Sequence, residues 1–317
     1  MILLCGIPSE TPLAAVRGQL DRIGFQYVTF NQRRFMETDL RWEVGARGVE
    51  GMLRLDGHAY SLADFTGVYT RIMDDRLLPE LLGEPTDSAP RRRCRSLHES
   101  LNLWFEVTPC LVVNRSSAMG SNISKPYQTQ LIRACGFEIP ETLVTNDPEA
   151  VLAFWEKHGR VIYKSISSVR SIVQTLKEED RLRLGRVRCC PTQFQAYVEG
   201  TNTRVHTVGE AVFATAIRTK ATDYRYAHQQ GAEIDMEAIE LPDDIAERCV
   251  HLAQALELPF AGIDLKRTPD GVYYCFEVNP SPAFTYYEDH TGQPIAYAVA
   301  AYLRAGPAQR VAPQCRG

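Results

Sequence analysis

Ala261-Gly262-Ile263-Asp264-Leu265-Lys266-Arg267 and Val272-Tyr273-Tyr274-Cys275-Phe276-Glu277-Val278, joined across Asp270-Gly271 and followed by Asn279-Pro280, decide how the chain is read. Two short apolar-rich runs around an Asp-Gly pair form a β-hairpin. With Asp270-Gly271 as the turn, residues pair at a constant sum, and Asp264 falls opposite Glu277. Alternation along a strand then sets Glu277 and Asn279 on one face and Val272, Tyr274, Phe276 and Val278 on the other. Directly opposed side chains stand about 4.5–5.5 Å apart at Cβ, a spacing at which two carboxylates repel. A positive partner is therefore expected between them. Two carboxylates and an amide carbonyl are hard oxygen donors, which suit Mg²⁺ and the phosphate oxygens it holds. A solvated hairpin edge with two incidental acids satisfies the same pattern, and Pro269 beside the turn can shift the register by one residue.

Outward from the hairpin, the 317-residue chain is 44% hydrophobic, which supports a large core and two or three domains. A formal net charge of -4 gives no general attraction to nucleic acid or an anionic membrane. No apolar run approaches a membrane span, and no basic segment leads into an apolar one at the N-terminus. A cytoplasmic protein with neither nucleic-acid nor membrane partners is expected. The nine cysteines form no CxxC pair and no zinc-ligand spacing, as reduced thiols would. His206, His228, His251 and His290 fall in different segments without ligand spacing; His206 shares a strand face with Arg204.

Met1 to Cys5, a helix from Thr11-Pro12 to Gly24, and Tyr27 to Phe30 give a strand, helix, strand order typical of a small open α/β domain. Arg71, at the end of a further short strand, is a surface charge or faces a ligand cleft. Pro85, Pro90 and Arg91-Arg92-Arg93 read as a linker between Gly83 and Arg95. Further on, Val161 to Lys164 and Ile172 to Leu176 pair around Ser165-Ile166-Ser167-Ser168-Val169-Arg170-Ser171. Hydroxyls, backbone N–H groups and positive charge in such a loop meet the needs of a polyphosphate, as well as those of a polar surface turn. The expected division is residues 1–95 as an N-terminal α/β domain, 96–190 as a central domain with the phosphate loop, 191–305 as a C-terminal domain with the Mg²⁺ site, and 306–317 as a tail.

In order and spacing, Lys125, Lys164 with its loop, Gln195-Ala196-Tyr197-Val198, Arg204, Arg218, Asp264 and Glu277-Val278-Asn279-Pro280 resemble a RimK-like ATP-grasp carboxylate-amine ligase. The resemblance runs from about Asn114 to Leu303. It implies the ATP-grasp fold, an α/β fold with a preceding small open α/β domain, a central lid domain and a C-terminal antiparallel-sheet domain. It also implies ATP and Mg²⁺ as cofactors. Lys125 matches a phosphate-contacting lysine, and Lys164 the strand lysine that reaches the α- and β-phosphates. Ser167 and Ser168 lie in the loop that closes over the triphosphate. Ala196 and Val198 match backbone contacts to adenine, with Gln195 beside them and Glu199 near the ribose. Arg204 and Arg218 match arginines near the transferred phosphate, Arg225 one that faces substrate, and Asp264, Glu277 and Asn279 the magnesium ligands.

Two departures bear on the substrate. Ala227 stands where the glutamate-adding members carry asparagine, and the phosphate loop contains no glycine, so it forgoes positive φ and close backbone approach. Both departures resemble the peptide-modifying relatives that close ester or amide links. The leading reading is a ligase that activates a carboxylate as an acyl phosphate and joins it to the amine of an amino acid, peptide or small molecule. The second is a ring-closing enzyme acting on a ribosomally made precursor peptide, and the third a nucleotide-binding regulator without turnover. Relatives also imply a homo-oligomer.

Overall fold

The computed structural model describes residues 1–46, 48–165, 173–219 and 234–306. The chain opens with β1 (Ile2–Gly6), α1 (Thr11–Arg22), β2 (Tyr27–Asn31), β3 (Asp39–Gly45), β4 (Gly48–Leu55), β5 (His58–Ser61), β6 (Gly67–Thr70), α2 (Ala89–Val107) and β7 (Leu111–Val113). Strands β2-β1-β6-β7 form a parallel sheet, while β3, β4 and β5 form a separate antiparallel meander. Every residue of β1 is buried, because a parallel strand is covered on both faces. Leu3 and Cys5 pack with Leu97, Leu101 and Trp104 of α2; Ile2 and Leu4 pack with α1 and with Val299 and Leu303 near the chain's end. Residues almost 300 positions apart thus complete one core.

The expected linker between Gly83 and Arg95 is a different structure. Ser88 caps α2 and Pro90 sits in its first turn, where a missing N–H costs nothing, so the helix runs straight through residue 95. Arg91 is buried against Asp75 at 2.7 Å, with Arg95 on the other oxygen at 3.1 Å. Arg91 and Arg95 thus face a carboxylate inside the fold, which a composition-based reading of charge cannot see, while Arg92 and Arg93 are exposed.

The remainder holds α3 (Ser116–Met119), α4 (Lys125–Ala134), β8 (Thr142–Thr145), α5 (Pro148–His158), β9 (Val161–Ser165), β10 (Gln174–Thr175), β11 (Thr192–Ala196), β12 (Thr201–Val208), β13 (Ala211–Thr219), β14 (Ile234–Ile239), α6 (Asp243–Ala255), β15 (Phe260–Arg267), β16 (Tyr273–Asn279), α7 (Thr285–Thr291) and α8 (Ile295–Ala305). A four-stranded sheet, β10-β9-β11-β8, has its own small core around Val151, Trp155, Val161 and Phe194. A five-stranded antiparallel sheet, β14-β13-β12-β15-β16, packs on α6 through Val205, Ala214, Ile263 and Val278.

The β15–β16 hairpin keeps the expected pairing of Asp264 with Glu277 by an unexpected route. Its loop is longer than two residues, closed by Thr268 N–H to the Val272 carbonyl at 2.9 Å, and pairing near the loop is shifted by one. A β-bulge between Asp264 and Leu265 restores the register, with Phe276 the extra residue on β16. The bulge also breaks the simple alternation. Cys275, rather than Phe276, joins Val278 in the core, and Phe276 turns to the same cleft as Glu277.

Candidate nucleotide and metal site

The two antiparallel sheets face each other across a cleft. From the four-stranded sheet come Ile162, Lys164 and Gln195; from the five-stranded sheet Thr203, Asp264, Lys266, Phe276 and Glu277; and Tyr197 and Val198 lie on the connection between them. Lys164 on β9 is paired in register with Gln193 on β11, and it is buried apart from its reach into the cleft. Gln195 is also buried. Its Nε2 donates to Thr142 Oγ1 at 3.0 Å, and its Oε1 has no donor among the described residues. A buried acceptor on the cleft wall suits a ligand that brings N–H donors, such as an adenine amino group.

The connection after β11 is fastened from below. Lys266 donates from Nζ to the Val198 carbonyl at 3.1 Å and lies 4.9 Å from the Tyr197 ring centroid. Arg160 covers the same ring at 3.5 Å and reaches Glu199 at 3.3 Å. Burial, reinforced by the nearby Arg160 charge, lowers the Lys266 pKa. Gly200, with φ +148°, lets the chain turn directly over the Arg267 carbonyl, which a Cβ would meet at 2.1 Å. Sequence reasoning missed Lys266 and Tyr197 as cleft residues. The i, i+2 spacing of Lys266 from Asp264 was the available signal, but the bulge between them obscures which face each takes.

At the other end of the cleft Arg204, on β12, lies opposite Asp264 in the pairing, and its Nη1 donates to Asp264 Oδ1 at 2.8 Å. Only 6% of the arginine side chain is exposed, against 19% for its partner. Gly262 makes room, since a Cβ there would fall 2.1 Å from Arg204 Nη2. His206 follows on the same strand face, fully buried, with Nε2 3.5 Å from Arg204 Nε. Burial and, after it, the Arg204 charge hold the imidazole pKa well below its ordinary value, so it is neutral and can accept from the guanidinium. Tyr287 closes the group, its ring 5.0 Å from His206 and 5.8 Å from the Arg204 guanidinium carbon.

Asp264, Glu277 and Asn279 give two carboxylates and one amide oxygen from paired strands, a donor set of the hardness and charge Mg²⁺ prefers. Among the described residues no group of three His, Cys, Asp or Glu side chains gathers as a metal site, this one included, since its third donor is an amide. Lys125 is the first residue of α4, which packs along β16. Other sequence candidates lie apart from this cluster. Arg218 is exposed on β13 and pairs with Glu237 at 2.7 Å and Asp235 at 3.3 Å, on the neighbouring strand. Glu199 is exposed and engaged with Arg160. Ser167, Ser168 and Arg225 lie outside the described residues.

A profile of the RimK-like ATP-grasp domain matches residues 124–303. The chain belongs to the RimK-like ATP-grasp family. The ATP-grasp ligase PsnB, to which the chain is 28% identical, is complexed with Mg and ADP in one of its structures. A probable alpha-L-glutamate ligase of Rhodopirellula baltica is 26% identical over 212 residues, covering 63% of this chain and 52% of that protein. The chain thus spans about half the length of that relative. A second probable alpha-L-glutamate ligase, from Cellvibrio japonicus, is 26% identical over 78% of this chain and 87% of its own. Among solved structures, the ATP-grasp ligase PsnB complexed with a minimal precursor superposes with a TM-score of 0.80 at 28% identity, covering 96% of this chain and 98% of PsnB. A Chryseobacterium gregarium RiPP-associated ATP-grasp ligase, complexed with ADP and a leader and core peptide, shares the fold at a TM-score of 0.82 and 22% identity, covering 98% of this chain and 99% of that one. No helix among the described residues is long and apolar enough to cross a membrane.

Proposed function

We propose that the chain is an ATP-dependent ligase that activates a side-chain carboxylate of a precursor peptide and closes it onto a hydroxyl or amine of the same peptide. The observation that carries this reading is the likeness to precursor-bound PsnB at 28% identity over 96% of the chain, the N-terminal parallel sheet included. The leading expectation from the sequence, joining of a carboxylate to the amine of an amino acid, peptide or small molecule, has its support in the names of the glutamate-ligase relatives, which match less of the chain. In the proposed scheme a carboxylate oxygen attacks the γ-phosphorus of ATP, giving an acyl phosphate and ADP. The acceptor then attacks the acyl carbon, phosphate leaves, and the acceptor's proton goes to solvent or phosphate.

No side-chain nucleophile is required, so the protein's work is positioning and charge stabilisation. Asp264, Glu277 and Asn279 would hold Mg²⁺, which supplies Lewis-acid neutralisation of the phosphate oxygens. Lys164 and Lys125 would meet phosphate, the Ala196–Val198 backbone and Gln195 would meet adenine, and Arg204 would meet the transferred group, steadied by Asp264 and His206. Arg218 and Arg225 are proposed for the peptide side of the cleft, Ser167 and Ser168 for the triphosphate, and Glu199 for the ribose. We propose the same division into three domains and a tail, with the first boundary moved from residue 95 to the end of α2.

The test is mass spectrometry of the full chain with ATP, Mg²⁺ and short acidic peptides encoded beside it. Loss of one water per ring, with matching ADP release, supports ring closure. A product joining two separate molecules would return the small-molecule reading.

A further inference from the structure

We infer that Gln128 is a positioning residue for the metal ligands, holding Glu277 and Asn279 in one fixed relation through the residue between them; the inference rests on reading those two side chains and Asp264 as the Mg²⁺ site. Strand β16 is at the edge of its sheet, and beyond an isolated parallel bridge of Tyr274 to Glu138 its outer backbone groups have no neighbouring strand. At Val278 a side chain takes that strand's place. Gln128 Nε2 donates to the Val278 carbonyl at 2.9 Å, and Val278 N–H donates to Gln128 Oε1 at 2.9 Å. One primary amide thus satisfies both polar groups of one residue, as a paired strand would. Gln128 is 2% exposed, and Val278 is completely buried.

The geometric consequence follows from strand alternation. Glu277 and Asn279 flank Val278 and project to the side opposite its side chain. Their relative direction is set by φ and ψ at Val278, and the two amide bonds fix the peptide groups on either side of it. The next residues are held in related ways. Asn114, 3% exposed, donates to the Phe260 carbonyl at 2.6 Å and also to the Pro280 carbonyl, and it accepts from Phe260 N–H at 3.2 Å. Ser281 N–H donates to Asn279 Oδ1 at 2.9 Å, and Arg71 holds Ser281 Oγ at 3.1 Å while paired with Glu10. Among the described side chains, Gln128 is the one that bonds the backbone between the two ligands, on the side away from β15.

The experiment measures Mn²⁺ binding to the full chain with ADP by electron paramagnetic resonance, beside ADP binding in EDTA and thermal melting. Wild type and Asp264→Asn establish the metal reading itself: wild type binds, and Asp264→Asn does not. If both bind alike, the metal assignment fails and takes this inference with it. With that assignment standing, Gln128→Met removes both amide bonds at nearly constant volume, and Mn²⁺ affinity is expected to fall roughly tenfold, the low end for supporting residues of metal sites. Metal-free ADP binding is expected to stay at the wild-type value. Unchanged Mn²⁺ affinity overturns the inference, and so does a parallel loss of Mn²⁺ and metal-free ADP binding, which would mark Gln128 as general scaffolding. Should the Met variant not fold, Gln128→Glu, which keeps an acceptor for Val278 N–H but sets a carboxylate oxygen against the Val278 carbonyl, is held to the same two criteria.

Discussion

Replacing Gly262 with alanine tests how tightly the arginine of the site is placed. Gly262 has ordinary strand geometry, so a methyl group there adds no backbone strain, and its whole effect is contact. The new Cβ would lie 2.1 Å from Arg204 Nη2, 2.7 Å from Arg204 Cζ and 2.8 Å from Pro282 Cβ. Relieving the first contact to an ordinary separation of about 3.5 Å moves the guanidinium by about 1.4 Å. Such a shift breaks the 2.8 Å bond to Asp264, and His206 and Tyr287 stand on neighbouring sides. Overpacking of this kind costs about 1–3 kcal/mol of stability, and a 1 Å misplacement of a reacting group costs roughly a hundredfold in turnover. The assay is ADP release with the peptide substrate, beside thermal melting. Gly262→Ala added to Arg204→Ala should cost far less turnover than in the wild-type background, because the two severest contacts need the guanidinium and only the one with Pro282 Cβ remains. Wild-type turnover in Gly262→Ala would refute the reasoning, and so would an equally large loss when the substitution is made in the Arg204→Ala background.

Asp264→Asn and Glu277→Gln are each expected to melt near the wild-type temperature while Mg²⁺-dependent ADP release is abolished; release that keeps its wild-type metal dependence counts against the metal site. Lys266→Met removes the donor that holds the Val198 carbonyl, and KM for ATP should rise roughly tenfold with kcat held, the loss of one charge-assisted hydrogen bond. A fall in kcat at constant KM would instead place Lys266 in the chemical step. Burial lowers the His98 pKa from 6.5 to about 4. The folded state therefore takes up this proton less readily than the unfolded chain, and the stability it contributes is complete above pH 6.5 and declines as pH falls towards 4. The loss between pH 7 and pH 5 is about 2 kcal/mol, measurable by urea denaturation. His98→Phe should reduce that slope, and an unchanged slope would place the titration elsewhere.

How much of this was legible beforehand depended on whether the deciding interaction was local. The hairpin was, because Asp-Gly and the acids on either side lie within 14 residues, and the Asp264–Glu277 pairing stands in the structure. The faces of Tyr274 and Phe276 were not, because a bulge is one extra residue with no turn chemistry to announce it. Arg91 and Arg95 read as a solvated run since their partner, Asp75, lies 16 and 20 positions away. The same holds for Gln128, whose partner is 150 positions on and is backbone, to which sequence patterns are blind. Gln195 was found only through family likeness, and Lys164 otherwise only as the residue that enters a polar loop. On their own, a strand lysine and a strand glutamine carry no chemistry until a second sheet faces them.

The edge position of β16 also links the two kinds of charge the site must manage. A strand inside a sheet would have neighbours on both sides, and the metal ligands would then be fixed only relative to other strands. At the edge, Val278 is instead bound to helix α4, and the residue that binds it is three positions after Lys125. Residues three apart lie on one face of a helix. The proposed phosphate lysine and the amide that sets Glu277 relative to Asn279 therefore belong to a single packed unit whose members, Ile132, Val278 and Ile263, share one core. Lys164 arrives from the other sheet, with a core of its own. The metal ligands and Lys125 thus belong to one packed unit and Lys164 to another. Because the core shared by Ile132, Val278 and Ile263 keeps α4 against the sheet without the amide, Gln128→Met should loosen the metal ligands while Lys125 and metal-free ADP binding stay as in wild type.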